Sequence, residues 1–172
     1  MAPMPIITAP DGRLKQISTH VDVVDDAVRR LMDDMLETMY QAPGIGLSAI
    51  QVDIPKRVVV VDVARDGEEP DPLYMVNPEI IWSSEELAPY DEGCLSLPEH
   101  YAEILRPEAV EVSYIDYDGV ARTKRIHELL SRCVQHELDH LDGILFVDHL
   151  SAVKRNMIIR KLTKAKRQRS VI

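Results

Sequence analysis

At 172 residues with 45% hydrophobic content, the chain is long enough to bury one core without staples, and its two cysteines, Cys94 and Cys133, exclude a disulfide framework. Its N-terminus, MAPMPIITAPDGRLKQ, lacks the basic n-region and apolar run of a signal peptide, and no stretch reaches the ~20 apolar residues of a membrane span, so a cytoplasmic protein with free thiols is expected. The net charge of -9 is unevenly spread: residues 151–172 hold eight Lys or Arg and no acid, while the rest sets 12 basic against 29 acidic residues, a net of -17, which predicts a polyanionic partner for the tail.

Residues 1–20 are Pro-rich and read as an irregular lead-in. Asp22 or Asp25 can cap a helix in which Val24, Val28, Leu31, Met32, Met35, Leu36 and Met39 recur at three- and four-residue steps. Pro43 and Gly44 stop it. The segment GIGLSAIQ (44–51) sets two glycines before small and apolar residues and one amide, Gln51. Arg57 to Ala64 (RVVVVDVA) is β-branched and predicts a buried strand, followed by a turn-like 65–72. Leu73 to Trp82 predicts a strand interrupted at Asn77-Pro78, and the polar residues 83–93 read as loop. Val110, Val112 and Tyr114 alternate with polar neighbours, Asp118-Gly119 offers a hairpin turn, and Val120 to Ile126 returns. A helix is expected from about His127 to Asp142, closed by Gly143, and a last one over 151–167. No repeat or long linker divides the chain, so residues 1–172 are read as one catalytic domain that includes the basic C-terminal helix.

The chemistry is concentrated in His136-Glu137-Leu138-Asp139-His140. Residues four apart share a helix face, so both imidazoles can point at one ion while Glu137 reaches a water beside it, the H-E-x-x-H arrangement of hydrolytic metal sites. The bland alternative is a surface helix with two histidines. Leu129, Leu130, Cys133, Val134, Leu138 and Leu141 argue against it, because they leave little of the helix for solvent. A catalytic ion takes three protein ligands and an open position. Zinc proteases that extend the motif place a histidine where this chain has Phe146, which cannot ligate. A thiol is then the natural third ligand. Cys133 reads as pocket wall and Cys94, from a separate segment, as the ligand that completes a tetrahedron. Gln51 stays open between a surface residue at a strand start and an inward donor.

Three segments, Gly44-Ile45-Gly46-Leu47-Ser48-Ala49-Ile50-Gln51, Glu92-Gly93-Cys94-Leu95-Ser96 and Gln135-His136-Glu137-Leu138-Asp139-His140-Leu141, resemble the three motifs of peptide deformylase, in that family's order. With the Asp118-Gly119 hairpin, the resemblance implies an α+β fold: antiparallel sheets packed around the motif-bearing helix, with N- and C-terminal helices. It implies hydrolysis of the N-formyl group of formylmethionine on newly synthesised polypeptides, releasing formate. By the same resemblance Cys94, His136 and His140 hold one divalent metal ion, ferrous iron natively, with zinc, nickel or cobalt able to replace it. Glu137 is expected to move the proton, and Gln51 with the Leu95 backbone N–H to donate to the oxyanion. Ile45, Gly46, Tyr90, Glu92, Gly93, Leu129 and Cys133 match substrate-binding positions. The basic C-terminal helix is expected to dock on the ribosome near the nascent-chain exit. Ser48 stands where alanine is more frequent, Tyr101 where many bacterial members have arginine, and Arg132 where an aliphatic residue is common. An endopeptidase of zincin type and a ribosome-binding protein with a degenerate site are the rival readings.

Overall fold

The computed structural model describes residues 3–171. After a 3-10 turn at Gly12–Lys15, helix α1 runs over Asp26–Gln41. Asp25, not Asp22, caps it, its side chain accepting from the Val28 N–H. The short strand β1 (Gly46–Ser48) leads through a 3-10 turn (Ala49–Val52) to β2 (Val58–Val61) and β3 (Leu73–Ser83). Strands β4 (Leu87–Cys94) and β5 (Leu97–Pro107) form a hairpin, then β6 (Ala109–Ile115) and β7 (Ala121–His127) form another. Helix α2 (Glu128–Leu141), a 3-10 turn (Phe146–His149) and helix α3 (Ala152–Ser170) complete the described chain.

The strands form an antiparallel five-stranded sheet in the order β1-β2-β3-β6-β7, and a separate two-stranded sheet from β4 and β5. The valine run of β2 shows why the larger sheet is central. Val59 and Val61 pack with Val134, Leu138 and Leu141 of α2, whereas Val58 and Val60 pack with Met32, Met35 and Met39 of α1. A strand covered on both faces needs no polar alternation, hence four consecutive valines. A third cluster, with Leu14, Leu97, Ile104, Phe146 and Leu162, closes the space under the β4–β5 hairpin. The expected α+β architecture is thus present, with α2 buried against the sheet.

Strand β5 falls in a stretch for which the sequence predicts no element, α3 runs three residues past its expected end at 167, and two further features differ from the sequence reading. The polar stretch 83–93 is largely strand β4. Alternation is there, but the inward positions are Ala88, Tyr90 and Glu92, so a buried carboxylate and a phenol hide the usual apolar signal. The predicted break in β3 is a bulge, not an interruption. Asn77 sits at φ 50° where the register against β6 shifts, and its amide exchanges two 2.8 Å hydrogen bonds with the Val21 backbone. The α3 helix docks by a narrow seam: Leu162 is buried, Ile158 and Ile159 are half-buried, and Val153 and Met157 stay exposed.

Candidate active site

Helix α2 presents His136 and His140 one turn apart, and the end of β4 brings Cys94 against them. His140 Nε2 lies 3.2 Å from His136 Nε2 and 3.3 Å from Cys94 Sγ, and the three ligand atoms all lie within 4.8 Å of one another. Two nitrogens bound about 2.0–2.1 Å from a tetrahedral ion lie about 3.3 Å apart, and a nitrogen and a thiolate about 3.6 Å apart. The spacing therefore fits an ion with these three ligands. The electrostatics agree. Burial disfavours a proton on His136, but the Cys94 sulfur and the Glu92 carboxylate outweigh it and favour positive charge here. A divalent cation supplies that charge with both imidazoles neutral, as ligation requires. Burial and the neighbouring His136 keep His140 well below the usual histidine range, so its lone pair is available.

His136 is oriented from behind. Its Nδ1 lies 2.9 Å from Glu92 Oε1, so Nδ1–H donates there and Nε2 is left to face Cys94 and His140. Arg106 forks onto both oxygens of Glu92. Burial pushes the Glu92 carboxyl up, but the hydrogen bonds from His136 and Arg106 outweigh it and hold it at about 2. The Glu92 carboxylate is thus occupied with holding His136, while the residue also lines the cleft.

Glu137 is buried beside the two histidines, and its Oε2 has no hydrogen-bond partner among the described residues. Burial raises its pKa to about 7, which suits a group that takes and returns a proton near neutrality. Gln51 is 1% exposed, which removes the surface reading left open for it. Its Oε1 accepts from the Ser48 N–H and hydroxyl at 3.0 and 2.9 Å. That pins the amide so that Nε2 donates to Ser96 Oγ at 3.0 Å and faces Cys94 Sγ at 3.6 Å. Sequence reasoning does not reach Ser48, Ser96 or Arg106 as the partners that hold Gln51 and Glu92. Arg106 had a signal, being the sole Lys or Arg between Arg65 and Arg122.

A cleft of about 520 Å³ opens onto these groups. Ile45, Gly46, Gln51, Tyr90, Glu92, Gly93, Cys94, Leu95, Leu129, Cys133, His136 and Glu137 all line it, so one opening gathers every candidate except the fully buried His140. Two glycines give the cleft its shape. A Cβ at Gly46 would lie 2.7 Å from Glu137 Oε1 and 2.8 Å from Cys133 Sγ. A Cβ at Gly93 would lie 2.4 Å from the ring of Tyr101, its partner across the hairpin. At the mouth the Arg132 guanidinium sits over the Tyr90 ring, 4.5 Å from its centroid.

The polypeptide deformylase family model matches residues 3–156. A peptide deformylase of Phenylobacterium zucineum is 55% identical over 95% of this chain and 97% of its own length. One from a Caulobacter species is 58% identical over 90% and 89%. Among solved structures, the peptide deformylase of Ehrlichia chaffeensis superposes with a TM-score of 0.93 at 38% identity, covering 99% of this chain and 100% of that one. The same organism's enzyme in complex with actinonin gives 0.92 at 41%, covering 97% and 99%. With a model match over most of its length, relatives above half identity and the same fold, the chain belongs to the polypeptide deformylase family.

Proposed function

We propose that this chain removes the formyl group from formylmethionine at the start of newly made polypeptides, releasing formate, with residues 1–172 acting as one catalytic domain. The observation that carries the reading is the convergence of Cys94 Sγ, His136 Nε2 and His140 Nε2 beside the buried Glu137 at the floor of a peptide-sized cleft. In this reading those three atoms hold one divalent ion, ferrous iron natively, with zinc, nickel or cobalt as substitutes. When bound, the ion acidifies a water and polarises the formyl oxygen. Glu137 takes the water's proton and delivers it to the departing amine, a role supported by its raised pKa. The Gln51 Nε2–H and the Leu95 backbone N–H donate to the negative charge that develops on oxygen. The orientation of the Gln51 amide, fixed by Ser48, supports that role.

Ile45, Leu129, Cys133 and Tyr90 seat the methionine side chain. The backbone at Gly46 and at Glu92-Gly93 flanks an extended peptide as an added strand. Tyr101, 67% exposed over Gly93, and the Arg132–Tyr90 pair set the preference for the residues after methionine. The enzyme works in the cytoplasm; no helix among the described residues is long and apolar enough to cross a membrane. The α3 helix docks on ribosomal RNA near the exit, a reading supported by the exposure of Lys154, Arg160, Lys161, Lys164, Arg167 and Arg169. The deciding experiment is formate release from formyl-Met-Ala-Ser by wild type and Glu137→Ala. Loss of about 10²–10⁴-fold in kcat in the variant supports the reading. Cleavage of unformylated internal peptide bonds, without formate release, would overturn it in favour of an endopeptidase.

A further inference from the structure

The contacts behind His136 do not end at Arg106. Arg106 Nη1 donates to Asp139 Oδ2 at 3.0 Å, and His149 Nε2 lies 2.8 Å from the same oxygen. A continuous line of side chains therefore runs from the surface inward: His149, Asp139, Arg106, Glu92, His136. Side-chain exposure falls along it from 39% through 23% and 6% to 4%, with His136 at 9%. Its outer end comes from the 3-10 turn at Phe146–His149, outside all three motif segments.

We propose that His149 is a positioning residue for the metal centre, acting on His136 through Asp139, Arg106 and Glu92. The reason is a competition for one guanidinium. Arg106 is shared between two carboxylates, Glu92 and Asp139. Its fork on Glu92 is what holds Oε1 against His136 Nδ1. A second donor on Asp139 Oδ2 weakens that oxygen's pull on Arg106. His149 Nε2–H is that donor, in either charge state of the ring. Asp139 also lies next to the ligand His140 on α2, so the contact ties the C-terminal end of the motif helix to the turn that follows. With His149 in place, Glu92 keeps both hydrogen bonds from Arg106 and stays where His136 needs it.

The test uses full-length protein loaded with Co²⁺, compared among wild type, His149→Phe and His149→Gln. Glutamine keeps an N–H donor near the position of Nε2, while phenylalanine keeps the ring and removes the donor. The site is part-exposed, so both variants are expected to fold, and melting of each protein without added metal checks this. Two quantities are read: the Co²⁺ dissociation constant by chelator competition, and the visible Co²⁺ absorption. The expected result is about 3- to 10-fold weaker Co²⁺ binding in His149→Phe, below the roughly 10–100-fold of a group bonded directly to a ligating histidine. The Co²⁺ bands should shift, and His149→Gln should restore both values. Unchanged affinity and spectrum in His149→Phe would overturn the proposal. So would equal losses in both variants, or a fall in melting temperature alone. The readout is metal binding, so it stands apart from whether the chain deformylates peptides.

Discussion

Replacing Gly46 with alanine tests whether the placement of Glu137 sets the rate. Gly46 lies outside the left-handed region, so the backbone itself accepts a side chain. The obstacle is space. The new Cβ would sit 2.7 Å from Glu137 Oε1, 3.0 Å from its Cγ and 2.8 Å from Cys133 Sγ, against 3.4 Å or more in ordinary contact. The neighbours must therefore move by about 0.7 Å. Cys133 belongs to the packed cluster under the sheet and has little freedom, so most of the movement falls on Glu137. A misplacement of about 1 Å in a reacting geometry costs on the order of 10²-fold. Gly46→Ala should thus lower kcat for formyl-Met-Ala-Ser about 100-fold, while metal content stays at wild-type level because neither the histidines nor Cys94 is touched. Steady-state formate release, with metal analysis on the same sample, reads both. A kcat within about threefold of wild type would refute the argument, since it would mean that Glu137 tolerates displacement or that its position does not matter.

Arg106→Ala leaves the buried Glu92 carboxylate with His136 as its remaining side-chain partner, and should cost about 3 kcal/mol in urea unfolding, as for breaking other buried ion pairs. Gly143 sits at φ 74° with Lys15 O 2.4 Å from any Cβ, so Gly143→Ala should lower stability by roughly 2 kcal/mol or more, a loss a thermal melt will show. Hydrogen bonds from Arg13 hold the Asp11 carboxyl at about 2 against an ordinary 3.8. Its stabilising contribution is therefore complete above the ordinary value and lost as pH falls through about 2, so wild type should exceed Asp11→Asn in urea midpoint at pH 6, with the two converging near pH 2.

Much of the site could be read from residue order alone. The four-residue spacing of His136 and His140 on a helix puts both rings on one face whatever the rest of the chain does, because helical geometry is local. The apolar residues around them predicted a buried helix, and α2 is buried. The valines of β2 are likewise a local signal that the fold keeps, whereas the choice of Asp25 over Asp22 as cap is made only in the structure. Strand β4 was not legible, because its inward residues, Tyr90 and Glu92, are polar for reasons that lie elsewhere in the chain. Glu92 tolerates burial because Arg106, fourteen residues away, and His136, forty-four away, meet it. No pattern within the strand encodes those partners.

The sequence by itself determined that two imidazoles share one helix face with a carboxylate beside them, since that follows from side-chain chemistry and helical period. Tertiary structure alone decided that Cys94 Sγ arrives 3.3 Å from His140, that Gln51 turns its Nε2 inward, and that His149 connects to His136 through three other side chains. The first two are contacts between residues more than forty apart in the chain, and the third passes through Arg106, thirty-three residues from Asp139. They depend on how the β4–β5 hairpin packs against α2, and packing is settled by the shape of the whole core rather than by any one segment.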